Sequence, residues 1–266
     1  MHNSVDALFT GLWQDFCQHA PSAEKIHALL ASKNEAIVND HIALRTFNLS
    51  PIGLDTLAAH FLHLGYQAKG EYHFKTKKLY ARHFEHPDPL QPKVFISELL
   101  VEQVSPQLQT LIKGKLAKLD SALTQQDSFL YSGRAWDLST EEYQLASQES
   151  EYAAWLLAHG FRANHFTVSV NHLTAFEQLS EVNDELKQAG FALNKAGGEI
   201  KGGADVMLAQ SSTLADVVDV HFADKTMAIP GCFYEFAQRF RNKKGQLYTG
   251  FVEASADKIF QSTDQT

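Results

Sequence analysis

Apolar and polar positions along the chain change period several times, and those changes divide it. Over residues 4–33 apolar side chains recur at helical spacing, Leu8, Leu12 and Phe16 and then Ile26, Leu29 and Leu30, which predicts one or two helices. Pro21 and Ser22 interrupt them, with Ser22 expected as an N-cap ahead of Glu24. From residue 40 the period drops to two, and His41-Ile-Ala-Leu-Arg-Thr-Phe47 alternates as a strand does. Residues 54–64 then read as a helix stopped by Gly65, and 66–74, 78–85 and 92–100 as three strands. Residues 101–160 are mostly helical. Leu108, Leu111, Ile112, Leu116 and Leu119 form one stripe, a further helix covers 141–158 and ends at Gly160, and Ser132 to Asp137 is non-helical. The first pattern then returns. A strand at 164–170 precedes a helix at 174–189 closed by Gly190, a glycine-rich strand-and-turn region at 191–203, and strands at 205–210, 217–222 and 232–240. Residues 247–260 read as a short strand or coil followed by a helix.

A strand-helix-strand-strand-strand unit therefore occurs twice, with His165 following His41 by 124 residues. The repeat is one of pattern, since identity between the copies is slight. The expected fold class is α+β: two βαβββ units, at 39–101 and 161–242, forming a cleft. A helical segment (1–38), a helical insert (102–160) and a C-terminal segment (243–266) complete a single domain.

Aligning the two first strands sets Asp40-His41-Ile42 opposite Asn164-His165-Phe166, so a histidine opens the strand in both copies. Residues two apart share a strand face. His41 and Arg45 thus face one way, and so do His165, Thr167 and Ser169. Two such sheets facing each other would enclose a polar cleft lined by these five side chains. Imidazole is a common ligand for Fe, Zn, Ni and Cu, and two histidines with one carboxylate make the facial set of non-haem Fe(II) oxygenases. Two strand carboxylates are candidates, Glu235 in Phe233-Tyr-Glu-Phe-Ala237 and Glu98 in Phe95-Ile-Ser-Glu-Leu99. Each lies in an apolar strand, where an unpaired carboxylate is costly. Glu235 could instead pair with Arg239 or Arg241, and Glu98 with Arg82. Arg45 lies roughly 13 Å along the strand from His41. It could take the far carboxylate of a small dicarboxylate, or form an internal salt bridge with Glu98 or Glu235. His73, His83 and His86 straddle a hairpin and read as surface residues.

Composition narrows the class. A formal net charge of -8 disfavours nucleic acid as a partner, and the basic cluster Lys75, Lys77 and Lys78 reads as a solvated turn. No apolar run of about 18 residues exists, so no membrane span is expected. The first 20 residues lack the basic start and apolar run of a secretory signal. Two cysteines far apart, Cys17 and Cys232, imply no disulfide framework, and a reducing cytoplasmic setting is the expectation. Gly197-Gly-Glu-Ile-Lys-Gly-Gly203 lacks the lysine-serine/threonine ending of a phosphate loop and reads as a flexible hairpin or a lip over the cleft.

Several segments carry a family resemblance: Asp40-His41-Ile-Ala-Leu-Arg45-Thr-Phe, Phe95-Ile-Ser-Glu-Leu99, Ser132-Gly-Arg-Ala-Trp136, Asn164-His165-Phe-Thr, Phe233-Tyr-Glu235-Phe, and Gly250-Phe251 with Ala256-Asp-Lys-Ile-Phe260. Together they span roughly residues 40–262, and the chain resembles the family once known only as a domain of unknown function, DUF1338. Its characterised members are 2-oxoadipate dioxygenases/decarboxylases, also called 2-hydroxyglutarate synthases. The resemblance implies a vicinal-oxygen-chelate-like fold, and Fe(II) (or another divalent metal) held by His41, His165 and Glu235, with Arg45 on the distal carboxylate of the substrate. It implies conversion of 2-oxoadipate and O2 to D-2-hydroxyglutarate and CO2, late in lysine breakdown. Two other functions fit the same residues. One is a metal-dependent lyase or isomerase acting on a 2-oxo acid, with Glu98 as ligand or base. The other is a non-catalytic small-molecule-binding module.

Overall fold

The computed structural model describes residues 1–33 and 36–259. Helices α1 (Val5–His19) and α2 (Pro21–Ala31) lead the chain. The Ser4 side chain caps α1 by accepting from the Ala7 N–H. Ser22 is not the cap of α2. Pro21 occupies the first turn, where its fixed φ suits the helix and no N–H needs a partner, and the Ser22 N–H is donated to Asp216 (2.7 Å). The first repeat unit follows: β1 (Asn39–Phe47), α3 (Leu54–His63), β2 (Gln67–Phe74), β3 (Leu79–Glu85) and β4 (Lys93–Leu99). The insert contains α4 (Pro106–Leu116), α5 (Thr140–Glu149) and α6 (Glu151–His159). Then come β5 (Ala163–Ser169), α7 (Leu179–Gln188), β6 (Lys201–Gly203), β7 (Leu208–Ser212), β8 (Val217–His221), β9 (Thr226–Pro230) and β10 (Phe233–Arg239). The last described helix is α8 (Glu253–Ile259); Phe260, where the expected helix ends, lies outside the described residues.

The two units do not face each other as separate sheets. They join edge to edge through the antiparallel pairing of β1 with β5, making one eight-stranded sheet of order β2-β3-β4-β1-β5-β10-β7-β6 that curls into a half-barrel. Joining pairs the backbone groups that each first strand would otherwise leave bare at an edge. The cleft is therefore the concave side of a single sheet.

Three expected elements differ from the observed ones. The 217–222 strand exists but leaves the main sheet, pairing with β9 in a separate hairpin; Val217 on it is 55% exposed. The place in the second unit goes to β6, inside the glycine-rich segment, which pairs with β7. The helix expected from residue 174 begins at Leu179, where Gln178 and Glu181 form a reciprocal cap. The single helix expected over 141–158 is broken at Ser150, whose backbone is extended and whose side chain accepts from the Ala153 N–H to start α6. That break lets α6 turn Tyr152 and Trp155 toward β1.

The convex side of the sheet holds the larger apolar core. Trp13 and Phe16 of α1 pack on Phe166 of β5 at ring separations of 5.1 and 5.0 Å, with Tyr234 of β10 beside them. Residues Tyr152 to His159 of α6 are all buried, as befits a helix enclosed on every side, and its Tyr152 and Trp155 meet the Arg45 face of β1. Across the concave side, α8 touches β2 at one end of the sheet and β6 and β7 at the other, bridging the mouth of the half-barrel. Among the described residues, no helix is long and apolar enough to cross a membrane. Cys17 and Cys232 are both buried free thiols.

Candidate active site

At the seam between the two units the strand pairing is irregular in a symmetric way. Asn39 pairs with Val168 and His41 with Thr167, so Asp40 is an extra residue; Ala43 pairs with His165 and Leu44 with Ala163, so Asn164 is another. Such a bulge re-aims side chains locally. Each extra residue here reaches the histidine that follows it. His41 Nδ1 donates to Asp40 Oδ1 (2.8 Å), and His165 Nδ1 faces Asn164 Oδ1 (3.3 Å). Both histidines therefore present Nε2 to the cleft as an acceptor, the orientation that a metal-binding imidazole needs.

Glu235 on β10 meets them. It lies beside Thr167 in the parallel pairing of β10 with β5, and it is 0% exposed. His41 Nε2 is 3.7 Å from Glu235 Oε1, and His165 Nε2 is 3.2 Å from Oε2. The possible ligand atoms of His41, His165 and Glu235 all lie within 4.8 Å of one another. Adjacent ligands on an octahedral ion with bonds near 2.1 Å sit about 3 Å apart, so this spacing suits one small cation. Gln210 Nε2 donates to Oε1 (2.6 Å), while Oε2 is buried with no hydrogen bond among the described residues despite the nearby imidazole. Burial pushes the Glu235 carboxyl above its ordinary pKa, only partly offset by His41 and Gln210. Burial, with smaller contributions from His41 and Arg45, drives His165 well below its ordinary value and keeps it neutral. Two imidazoles, one of them held neutral, and a carboxylate with an orphaned oxygen fit a divalent metal ion by donor type, spacing and charge.

Aromatic rings and a buried ion pair surround the cluster. Phe251 packs edge-on against the His41 ring (4.8 Å), and Phe233 lies over His165 (4.7 Å). Arg239, on the same β10 face as Glu235, grips Asp40 with two hydrogen bonds of 2.7 and 2.8 Å. It also donates to the carbonyls of Tyr248 and Gly250, tying the segment that carries Phe251 to the site. Burial alone would raise the Asp40 pKa, but Arg239 and His41 hold it well below the carboxylate range.

Of the expected cleft residues, Thr167 and Ser169 are buried on the histidine face. Thr167 Oγ1 is 3.2 Å from His41 Nε2, and Ser169 Oγ contacts His172 (2.8 Å). Arg45 is 1% exposed and pairs with neither Glu98 nor Glu235. Its guanidinium lies 4.9 Å from the rings of both Tyr152 and Trp155 and donates to Glu151 (3.0 Å). Glu98 is not with the cluster. It pairs in register with Thr46, on the other face of the sheet from His41 and Arg45, and accepts the Leu54 N–H (2.8 Å) at the start of α3. A fourth-ligand role, and the lyase reading that used Glu98 as base, lose their residue. Nor does Glu98 pair with Arg82, which bonds Asp55. Arg239 pairs with Asp40 rather than Glu235, and Arg241 with the Gly245 carbonyl. His83 is buried rather than superficial, bonded to Tyr72 (2.8 Å) and Glu85 (3.0 Å). The residues that sequence reasoning passed over are Tyr152, Trp155, Glu151, Gln210 and Asp40. Only Asp40 left a usable signal, a short polar residue before the histidine in both copies.

Residues 12–249 match the family described as 2-oxoadipate dioxygenase/decarboxylase. The chain belongs to that family. It is 38% identical over 282 residues to the chloroplastic 2-oxoadipate dioxygenase/decarboxylase of Arabidopsis thaliana, covering 92% of this chain and 73% of that one. Among solved structures it matches a Shewanella frigidimarina protein provisionally described as a hydrolase, at 57% identity and TM-score 0.92, over 96% of this chain and all of that one. It also matches the Oryza sativa hydroxyglutarate synthase in complex with 2-oxoadipate, at 32% identity and TM-score 0.89, over 100% of this chain and 95% of that one. A glyoxalase-superfamily protein from Ralstonia eutropha shares the fold at 22% identity and TM-score 0.74.

Proposed function

We propose that this protein is a non-haem Fe(II) oxygenase that converts 2-oxoadipate and O2 to D-2-hydroxyglutarate and CO2, with His41, His165 and Glu235 as the metal ligands. The observation that carries the reading is the convergence of two Nε2 atoms on a fully buried carboxylate with an orphaned oxygen. Family membership and the rice relative with 2-oxoadipate bound support the substrate. When bound, the iron supplies a chelation point for the 2-oxo acid and the means to activate O2. The chain's own residues do the rest. Asp40 and Asn164 fix the imidazole orientation, and Gln210 steadies the carboxylate. Phe251 and Phe233 exclude water, which strengthens every electrostatic contact inside. Arg45, braced by two aromatic rings, takes the distal carboxylate and so sets the substrate's direction along the sheet. No second organic substrate is needed, because the methylene carbon beyond the keto group, on the side away from the departing carboxylate, is the one hydroxylated.

The test is oxygen uptake by anaerobically Fe(II)-loaded protein on addition of 2-oxoadipate. Equal amounts of O2 consumed, CO2 released and 2-hydroxy diacid formed are expected. Turnover of the acid without oxygen would mean redox-neutral chemistry instead. In the same assay Arg45→Met is expected to lower kcat/KM for 2-oxoadipate about 100-fold, the scale of a lost charge-assisted contact together with lost orientation. A loss under threefold would remove Arg45 from substrate binding.

A further inference from the structure

Another cation faces the cleft, across the sheet from Arg45. Lys201 on β6 pairs in register with Gln210 on β7, so their side chains share a face. Gln210 reaches Glu235, so that face is the concave one. Lys201 is 3% exposed, and its ammonium donates to the carbonyl of Asn194 (2.6 Å). Asn194 in turn donates its N–H to the carbonyl of Ser212, the register partner of Glu235. The ammonium is thus tethered level with Glu235, two strands away from it. Burial lowers its pKa to about 8, with Glu235 and Glu199 opposing the fall, and it remains largely protonated at neutral pH.

Among the described residues the ammonium has one hydrogen-bond acceptor, a neutral carbonyl, and a charge so buried is expensive unless an anion joins it. The charges near the site show which anion is missing. Arg239 is answered by Asp40, and Arg45 by Glu151. Lys93, half-buried at the entrance to β4, lies in the field of Asp40 and Glu85. A dianionic 2-oxo acid and Glu235 together bring three negative charges against two on a divalent metal. One positive charge is lacking, and Lys201 supplies it. The strand order decides which end of the substrate it meets. Arg45 stands on β1, the strand that also carries His41, and Lys201 on β6, with His165 and Glu235 on two of the strands between. A substrate running from the metal toward Arg45 leaves its 2-oxo carboxylate on the Lys201 side.

We infer that Lys201 is a substrate-binding residue that pairs with the carboxylate adjacent to the keto group, the one lost as CO2. This rests on the function proposed above. It makes Lys201 indifferent to the distal end of the substrate, whereas Arg45 reads that end.

Titration calorimetry on oxygen-free, Fe(II)-loaded protein separates the two roles, using 2-oxoadipate and the monoanion 2-oxohexanoate, which lacks the distal carboxylate. Lys201→Gln keeps a donor for the Asn194 carbonyl but removes the charge. It is expected to weaken both acids by the same factor, about tenfold or more. Lys201→Arg is expected to hold both within about threefold of the parent, and Arg45→Met to weaken only the diacid. Parent-like binding of both acids by Lys201→Gln would reduce Lys201 to a loop tether and overturn the inference. A loss confined to 2-oxoadipate would overturn it as well, by moving Lys201 to the distal end. Should Lys201→Gln fail to fold, a loss of affinity for both acids in Lys201→Arg would also count against it. If the parent itself binds neither acid, the proposed function fails first, and the result is distinct from a failure of Lys201 alone.

Discussion

His165→Ala is expected to abolish turnover and to lower iron affinity by about 10³-fold, on the order of 4 kcal/mol for one ligand of a small set. The variant should still fold, because His165 is held neutral and contributes no ion pair that the sheet depends on. Phe233, which lies over the ring, is left beside a modest cavity. Iron content after anaerobic loading and dialysis, measured alongside oxygen uptake, checks this. Glu235→Gln is the sharper companion. Gln210 can still donate to the side-chain carbonyl, so the hydrogen bond survives while the anionic donor is lost. Full iron occupancy in either folded variant would show that the cluster is not the metal centre.

Asp40→Asn should produce a large effect of a different kind. An asparagine can still accept from His41 Nδ1, as Asn164 does for His165, so the imidazole keeps its orientation. What is lost is the charge opposite Arg239. A buried pair broken on one side costs about 3–5 kcal/mol, because the guanidinium remains buried with only carbonyl acceptors. The iron affinity should fall roughly tenfold as the supporting shell weakens. Because Arg239 also holds the carbonyls of Tyr248 and Gly250, the Phe251 segment should lose protection from hydrogen exchange. Denaturant titration of the iron-free protein measures the stability loss, and a change below about 1 kcal/mol would show that the pair contributes little. The sign with pH follows from the depressed Asp40 pKa. Its stabilisation is present above the unfolded carboxyl value of about 4 and is lost as the solution is acidified below it.

Much of the site was legible along the chain because a strand alternates with a fixed period of two. The periodicity placed His41 with Arg45, and His165 with Thr167 and Ser169, on shared faces, and the repeat matched one histidine to the other. It left Glu235 and Glu98 equivalent, since both occupy apolar strands near the end of a unit. Register separated them: Glu235 stands beside Thr167 on the histidine face, whereas Glu98 stands beside Thr46 and caps α3. Register between distant strands depends on how two edges meet, which no local pattern encodes.

The sequence by itself determined the two units, their helices and first strands, and the pair of histidines, because hydrophobic period and turn chemistry act within a few residues. It did not determine that the units join as one sheet, nor that 217–221 leaves that sheet for a hairpin while 201–203 enters it. It also could not show that Asp40 and Asn164 are extra residues in the strand pairing whose side chains orient the histidines. The break at Ser150, the stacking of Tyr152 and Trp155 on Arg45, and the burial of Lys201 opposite it came only with tertiary structure. Each depends on contacts between segments far apart in the chain, where the cost of burying a charge is set by what arrives from elsewhere in the fold.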